Sequence, residues 1–100
     1  MEIRQTETYV RWYSRLRDRQ ARMRINVRVR RLSLGNFGDS KAVGGGVSEL
    51  RVPYGPGYRI YFIQRGPAVV ILLAGGDKST QRRDIEFAKQ LARTIGEEHG

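Results

Sequence analysis

Seven consecutive apolar residues, Ala68 to Ala74, constrain this chain more than any other feature. They show no polar alternation, which is the mark of a strand buried on both faces. The run is far short of the roughly 20 residues that span a bilayer. Two segments before it alternate in the manner of half-buried strands. In Tyr58 to Gln64, Tyr58, Ile60 and Phe62 alternate with Arg59, Tyr61 and Ile63. In Val47 to Pro53, Val47, Glu49 and Arg51 alternate with Ser48, Leu50 and Val52. Tyr54-Gly55-Pro56-Gly57 and Arg65-Gly66-Pro67 supply turns between them, so three antiparallel strands are expected.

The remainder carries helical spacing. Tyr9, Trp12, Tyr13 and Leu16 fall at i, i+3, i+4 and i+7, which predicts a helix over Glu7 to Arg17 capped by Thr6. A second helix is expected from Arg19 to Leu34, with Ala21, Ile25, Val29 and Leu32 as its stripe. The alternation Ile25, Val27, Val29 supports a competing strand. If helical, the segment has a second apolar stripe, Met23, Val27 and Leu34, facing away from the first. Arg24, Arg28 and Arg31 form a ridge between the two. The second stripe is either a docking surface or core.

Ile3 to Thr6 suits a short strand. Gly35 to Gly46 reads as a loop of about a dozen residues. Ile85, Ala88, Leu91, Ala92 and Ile95 predict a last helix over Thr80 to Ile95, capped by Ser79 or Thr80. The expected architecture is α+β: one domain, 1–100, with two N-terminal helices and a C-terminal helix on a small antiparallel sheet.

Charge narrows the function. Nineteen Lys and Arg oppose ten Asp and Glu, giving a net charge of +9 and a pI near 10.8. Sixteen of the cations are Arg, whose planar fork suits phosphates and stacks on bases. Ten of these lie between Arg4 and Arg31, against two acids, Glu7 and Asp18. A polyanion, above all nucleic acid, is the expected partner; a basic surface for solubility or for an acidic protein is the alternative. With no cysteine, disulfides and thiolate metal sites are excluded. Met1 to Thr6 lack the layout of a signal peptide and no membrane partner is expected, so the cytoplasm is the expected compartment. Gly44-Gly45-Gly46 is not followed by Gly-Lys-Ser/Thr and is no phosphate-binding P-loop.

Several stretches resemble the addiction-module killer proteins, the HigB-like, phage-derived branch of the RelE/ParE toxin superfamily. They are Trp12 with Leu16-Arg17-Asp18; Gly35-Asn36-Phe37-Gly38-Asp39; Val43 to Arg51; Tyr54 to Phe62; and Leu73 to Gln81 followed by Asp84-Ile85. The resemblance covers nearly the whole chain. It implies a RelE-like fold and cleavage of mRNA, free or in the ribosome, to inhibit translation. It also implies a cognate antitoxin, a helix-turn-helix HigA-like protein through which operator DNA is bound. Two other roles stay open: inhibition of DNA gyrase, as on the ParE side, and a binding module acting only within its antitoxin complex.

RNA cleavage by the 2′-hydroxyl requires help in removing one proton, donating another and stabilising charge on phosphorus. It requires no metal and no cofactor. The only histidine is His99, one residue from the end, so no His pair exists and the work falls to other side chains. The resemblance implies a catalytic Arg at Arg59, a basic residue at Arg51 and another at Lys78. Arg59 either clamps phosphate or makes a structural salt bridge with Glu49. Tyr61 either stacks a base and donates a proton or packs in the core. Asp77 either orients Lys78 or caps the last helix. Lys41, Arg51 and Arg65 are candidates for binding the RNA backbone. Met23, Val27 and Leu34 with Arg24, Arg28 and Arg31 are the candidate antitoxin dock. Better-known ribonucleases of the superfamily carry a catalytic Tyr in the C-terminal helix; Arg82-Arg83-Asp84-Ile85 has none.

Overall fold

The structure, a computed structural model, describes residues 1–99, with side chains to Gly96. The chain runs β1 (Glu2–Gln5), α1 (Glu7–Ser14), α2 (Arg19–Ser33), β2 (Ser40–Gly44), β3 (Val47–Val52), β4 (Tyr58–Arg65) and β5 (Val69–Asp77). A short 3-10 turn (Lys78–Thr80) then leads into α3 (Gln81–His99). The strands form one sheet in the order β1-β5-β4-β3-β2.

The apolar run is β5, and it is buried on both faces as its sequence requires. Val70 and Leu72 join Tyr9, Ile25, Leu32, Leu50, Ile60 and Phe62 in one core. Ile71, Leu73 and Ala74 join Val47, Tyr61 and Ala88 in a second. Helices α1 and α2 therefore cover one face and α3 the other, an α+β arrangement in three layers. No helix among the described residues is long and apolar enough to cross a membrane.

Three expectations are corrected. The sheet is mixed, because β1 pairs with β5 in parallel (Glu2 opposite Val69, Gln5 opposite Leu72). That pairing joins residues nearly seventy apart and leaves no local pattern. The Gly-rich segment is a hairpin rather than a loop, with β2 antiparallel to β3. Strand β2 lies at the sheet edge with little to bury, so it carries no hydrophobic signature. Gly44, Gly45 and Gly46 turn the hairpin at φ of 103°, 62° and 78°, a region side-chain-bearing residues seldom adopt. Finally, α1 stops at Ser14, although Leu16 still packs on the core.

The contest over Ile25–Val29 resolves to helix. Ala21, Ile25 and Leu32 are fully buried, whereas Met23, Val27 and Leu34 are 66%, 47% and 75% exposed. Asp18 caps α2, accepting from the backbone N of Gln20 and Ala21 at 2.9 and 3.3 Å.

Strand β5 carries a bulge. Tyr61 is opposite Ala74 but Phe62 is opposite Leu72, leaving Leu73 extra. The carbonyl of Leu73 accepts from Thr6 Oγ1 at 2.6 Å, and the same hydroxyl caps α1 by accepting from Tyr9 N at 3.1 Å. Beyond the bulge, Gly75 faces α1 and Gly76 faces α3. A methyl group on Gly75 would overlap the Trp12 indole, and one on Gly76 would overlap the Asp84 carboxylate. Overpacking of this kind costs about 1–3 kcal/mol. Gly75→Ala and Gly76→Ala are each expected to lower the unfolding free energy measured by urea denaturation by that amount. Gly75→Ala should also shift the emission of Trp12, the single tryptophan.

Candidate functional site

The end of β3, the start of β4 and the end of β5 meet at one rim of the sheet. Arg51 is directly opposite Arg59, and Arg59 is opposite Gly76. One row inward, Lys41, Glu49, Tyr61 and Ala74 are successive cross-strand partners. Pleating places both rows on the face under α3.

Two arginines directly opposite each other repel. Glu49 lies between them. It is fully buried, and its Oε1 is 3.5 Å from Arg51 Nε and 3.6 Å from Arg59 Nε. Its Oε2 accepts a hydrogen bond from Gln81 Nε2 at 2.7 Å. Arg59 Nη1 also donates to the carbonyls of Gly57 and Tyr58 at 3.3 and 3.5 Å. The Arg59 side chain is 11% exposed and that of Arg51 38%. Arg59 is thus held from behind and from the side, while Arg51 keeps a solvent-facing edge.

Helix α3 covers the row with its first turn. Gln81 and Asp84 are three residues apart and share a helix face. Gln81 reaches Glu49, while Asp84 sits over Gly76 and accepts from Thr80 Oγ1 at 2.6 Å. Sequence reasoning assigned neither residue a role. Their i, i+3 spacing on the same face as the predicted apolar stripe was the available signal.

Four buried polar atoms here lack a hydrogen-bond partner: Glu49 Oε1, Arg51 Nε, Arg59 Nε and Tyr61 Oη. The Tyr61 phenol is pushed well above the ordinary tyrosine range, first by burial and then by the charges of Glu49 and Asp84, with Arg59 opposing.

Lys78 joins this rim. It is exposed, and it and Arg59 flank Gly57: a methyl group there would touch Lys78 Cβ and Arg59 Nη1 at 3.5 and 3.6 Å. Asp77 does not pair with Lys78. Its Oδ1 accepts from Ser79 N and Oγ at 2.8 and 2.5 Å, capping the 3-10 turn that precedes α3.

Other expected residues fall elsewhere. Tyr61 is fully buried in the α3-side core, so it presents no face on which a base can stack. Lys41 is on edge strand β2 rather than in a loop, exposed and opposite Glu49. Arg65 is at the far end of β4, where Nη2 donates to the Ile95 carbonyl at 3.2 Å, away from the rim. The His99 side chain lies outside the described residues. Among the described residues, no three His, Cys, Asp or Glu side chains are grouped to hold a metal ion.

An uncharacterized protein of Haemophilus influenzae is 48% identical to this chain over 96 residues, spanning 96% of this chain and 97% of that protein. No protein-family profile matches the chain.

The cluster makes two measurable demands on stability. Removing one member of a buried ion pair costs about 3–5 kcal/mol, because the remaining charge stays buried. Glu49→Ala should lose that much in urea denaturation. Tyr61 titrates with a raised folded pKa, so its contribution is complete below its ordinary value of 10.0 and is lost as pH rises through the folded value. Tyr61→Phe should therefore lose less stability than the parent between about pH 8 and about pH 11. Equal losses would mean that Tyr61 is not a source of the alkaline transition.

Proposed function

The chain belongs to the same family as the Haemophilus influenzae protein, and for it we propose the role of toxin in a toxin–antitoxin pair, as a metal-independent mRNA endoribonuclease of RelE-like fold. One observation carries the reading: Arg51 and Arg59, paired across β3 and β4, share one rim of the sheet with Lys78, which is distant from both in sequence and flanks Gly57 together with Arg59. A chain of net charge +9 with three cations on one rim suits a phosphodiester substrate.

The three cations have different reach. Lys78 is exposed and Arg51 half-exposed, so these two contact the scissile phosphate first. Arg59, held by Glu49 and by two backbone carbonyls, supplies a charge that needs no reorganisation as negative charge grows on phosphorus. The 2′-hydroxyl attacks phosphorus, the bond to the 5′-oxygen breaks, and a 2′,3′-cyclic phosphate and a free 5′-hydroxyl result. Lys78 donates the proton to the leaving oxygen, and the proton of the attacking 2′-hydroxyl passes to solvent. Arginine stays protonated and acts only as a clamp. An antitoxin restrains the toxin, and mRNA, on or off the ribosome, is the target.

Purified chain incubated with translating ribosomes should produce new RNA ends of this chemistry. A 2′-deoxy substitution at the cut site should abolish them. Arg59→Ala and Lys78→Ala, if folded, should each slow cleavage by about a hundredfold, the usual cost of removing one transition-state clamp. Binding should weaken about a thousandfold between low and moderate salt if several phosphates are neutralised. Growth arrest without new RNA ends, but with loss of DNA supercoiling, would transfer the reading to a gyrase inhibitor.

A further inference from the structure

The cationic rim leaves one feature unexplained, a groove of about 350 Å³ on the opposite side of the sheet, between α2 and the segment following β3. Met23, Val27, Val52 and Pro53 give it apolar walls, and Arg24, Arg28 and Arg31 line it along α2. Tyr54 closes one side, with the Arg24 guanidinium 4.8 Å from its ring centre. We propose that this groove docks an acidic amphipathic helix of a partner protein.

Two properties coincide here that water alone does not satisfy. Met23 and Val27 stay 66% and 47% exposed, and Leu34, farther along the helix, 75%. Exposed apolar side chains grouped on one element mark an interaction surface. The same helix also carries uncompensated charge: Arg19–Ser33 contains six Arg and no acid. Arg24, Arg28 and Arg31 follow i, i+4, i+7 spacing and repel one another along one side of α2. Asp18, just before the helix, is already engaged by the backbone and by Tyr54 Oη at 2.7 Å. The arginine ridge spans about 10 Å of helix, two turns of a partner helix lying alongside. Apolar residues at i, i+3, i+4 and i+7 would fill the walls, with Asp or Glu on the adjoining stripe meeting the arginines.

Other occupants fit less well. A second copy of this chain would bring the same patch to itself and set arginine against arginine. RNA would neutralise the ridge but leave the exposed Met23, Val27 and Leu34 without an apolar counterpart. The proposal does not rest on RNA cleavage. Arg51 faces α3 while the adjacent Val52 faces the α1–α2 side, so a helix confined to the groove leaves Arg51, Arg59 and Lys78 open.

The test titrates isotope-labelled chain with a designed helical peptide bearing Leu at i, i+3, i+4 and i+7 beside a stripe of Glu. Resonance shifts should map to α2 and Val52–Tyr54. Binding should be at least about tenfold tighter than to a scrambled peptide of equal charge. Met23→Asp and Arg28→Glu should each remove that preference. Arg28→Glu, which leaves the apolar walls intact, decides the case if Met23→Asp fails to fold. A single-stranded RNA added to the peptide complex should still shift resonances at the sheet rim. Equal affinity for both peptides, peptide shifts at the rim, RNA shifts in the groove, or self-association through the groove would each overturn the proposal. Failure of RNA cleavage with the peptide preference intact would sink the ribonuclease reading and leave this one standing.

Discussion

A carboxylate with no access to solvent holds together the part of this protein where its elements converge. Glu49 on β3 reaches its own strand's Arg51, Arg59 on β4 and Gln81 on α3. Burying a lone carboxylate costs several kcal/mol, and close opposite charges offset this only when its other lone pairs are also satisfied. Here two guanidinium groups approach one oxygen and an amide satisfies the other. The arginines gain as well, since they are directly opposed across the ladder and would otherwise repel. The interaction that docks the start of α3 onto the sheet is therefore the one that arranges two of the three cations at the rim.

The bulge in β5 sets the geometry around that carboxylate. An unbroken β5 would keep the alternation that begins at Val69 and place Gly75 under α3. With Leu73 inserted, Leu73 and Ala74 both turn toward α3, and the following glycines reverse sides. Trp12 can then press on Gly75 from one face while Asp84 presses on Gly76 from the other. Both contacts need the missing Cβ. The strand end is clamped between α1 and α3, so the backbone beside Arg59 and Lys78 has little freedom to yield to a ligand. A rim of this stiffness suits electrostatic stabilisation, which depends on charges already in place.

What was legible in the sequence follows from the range of the forces involved. The apolar run of β5, the alternation of β3 and β4 and the stripes of α1 and α3 are local patterns set by burial, and they were readable; α2 was readable only beside a competing strand pattern. The two-sided character of α2 was readable too, because Met23, Val27 and Leu34 have no place on the face of Ile25 and Leu32. Three features depended on pairings between distant residues. Strand β2 has only Val43 as a large apolar residue and owes its conformation to β3. The parallel pairing of β1 is decided by the exposed edge of β5. The shared position of Glu49 follows from a register that the Gly55-Pro56-Gly57 turn leaves open by one residue. With that register in place, the salt bridge with Glu49 that stood as the alternative role of Arg59 is present, but Glu49 is diagonal to Arg59 and directly opposite Tyr61. This puts the phenol of Tyr61 in the interior instead of at a substrate.

The two arginine populations differ in what surrounds them. At the rim, Glu49 balances one positive charge and is itself held by Gln81, while two backbone carbonyls hold Arg59. Along α2, no acid balances the six arginines and apolar side chains stand among them. Small, strongly charged phosphate groups gain most from cations that are already oriented, because little reorganisation is then required. A protein helix gains most from a surface offering both apolar area and charge, because burial supplies affinity and the charges fix register. The backbone turns Arg51 toward one face of the sheet and Val52 toward the other. This single alternation separates the two surfaces, so a partner that also blocks the rim has to extend beyond the groove and around the sheet edge. For a partner helix seated on α2, inhibition therefore requires a second segment that reaches the rim past the turn at Tyr54–Gly57.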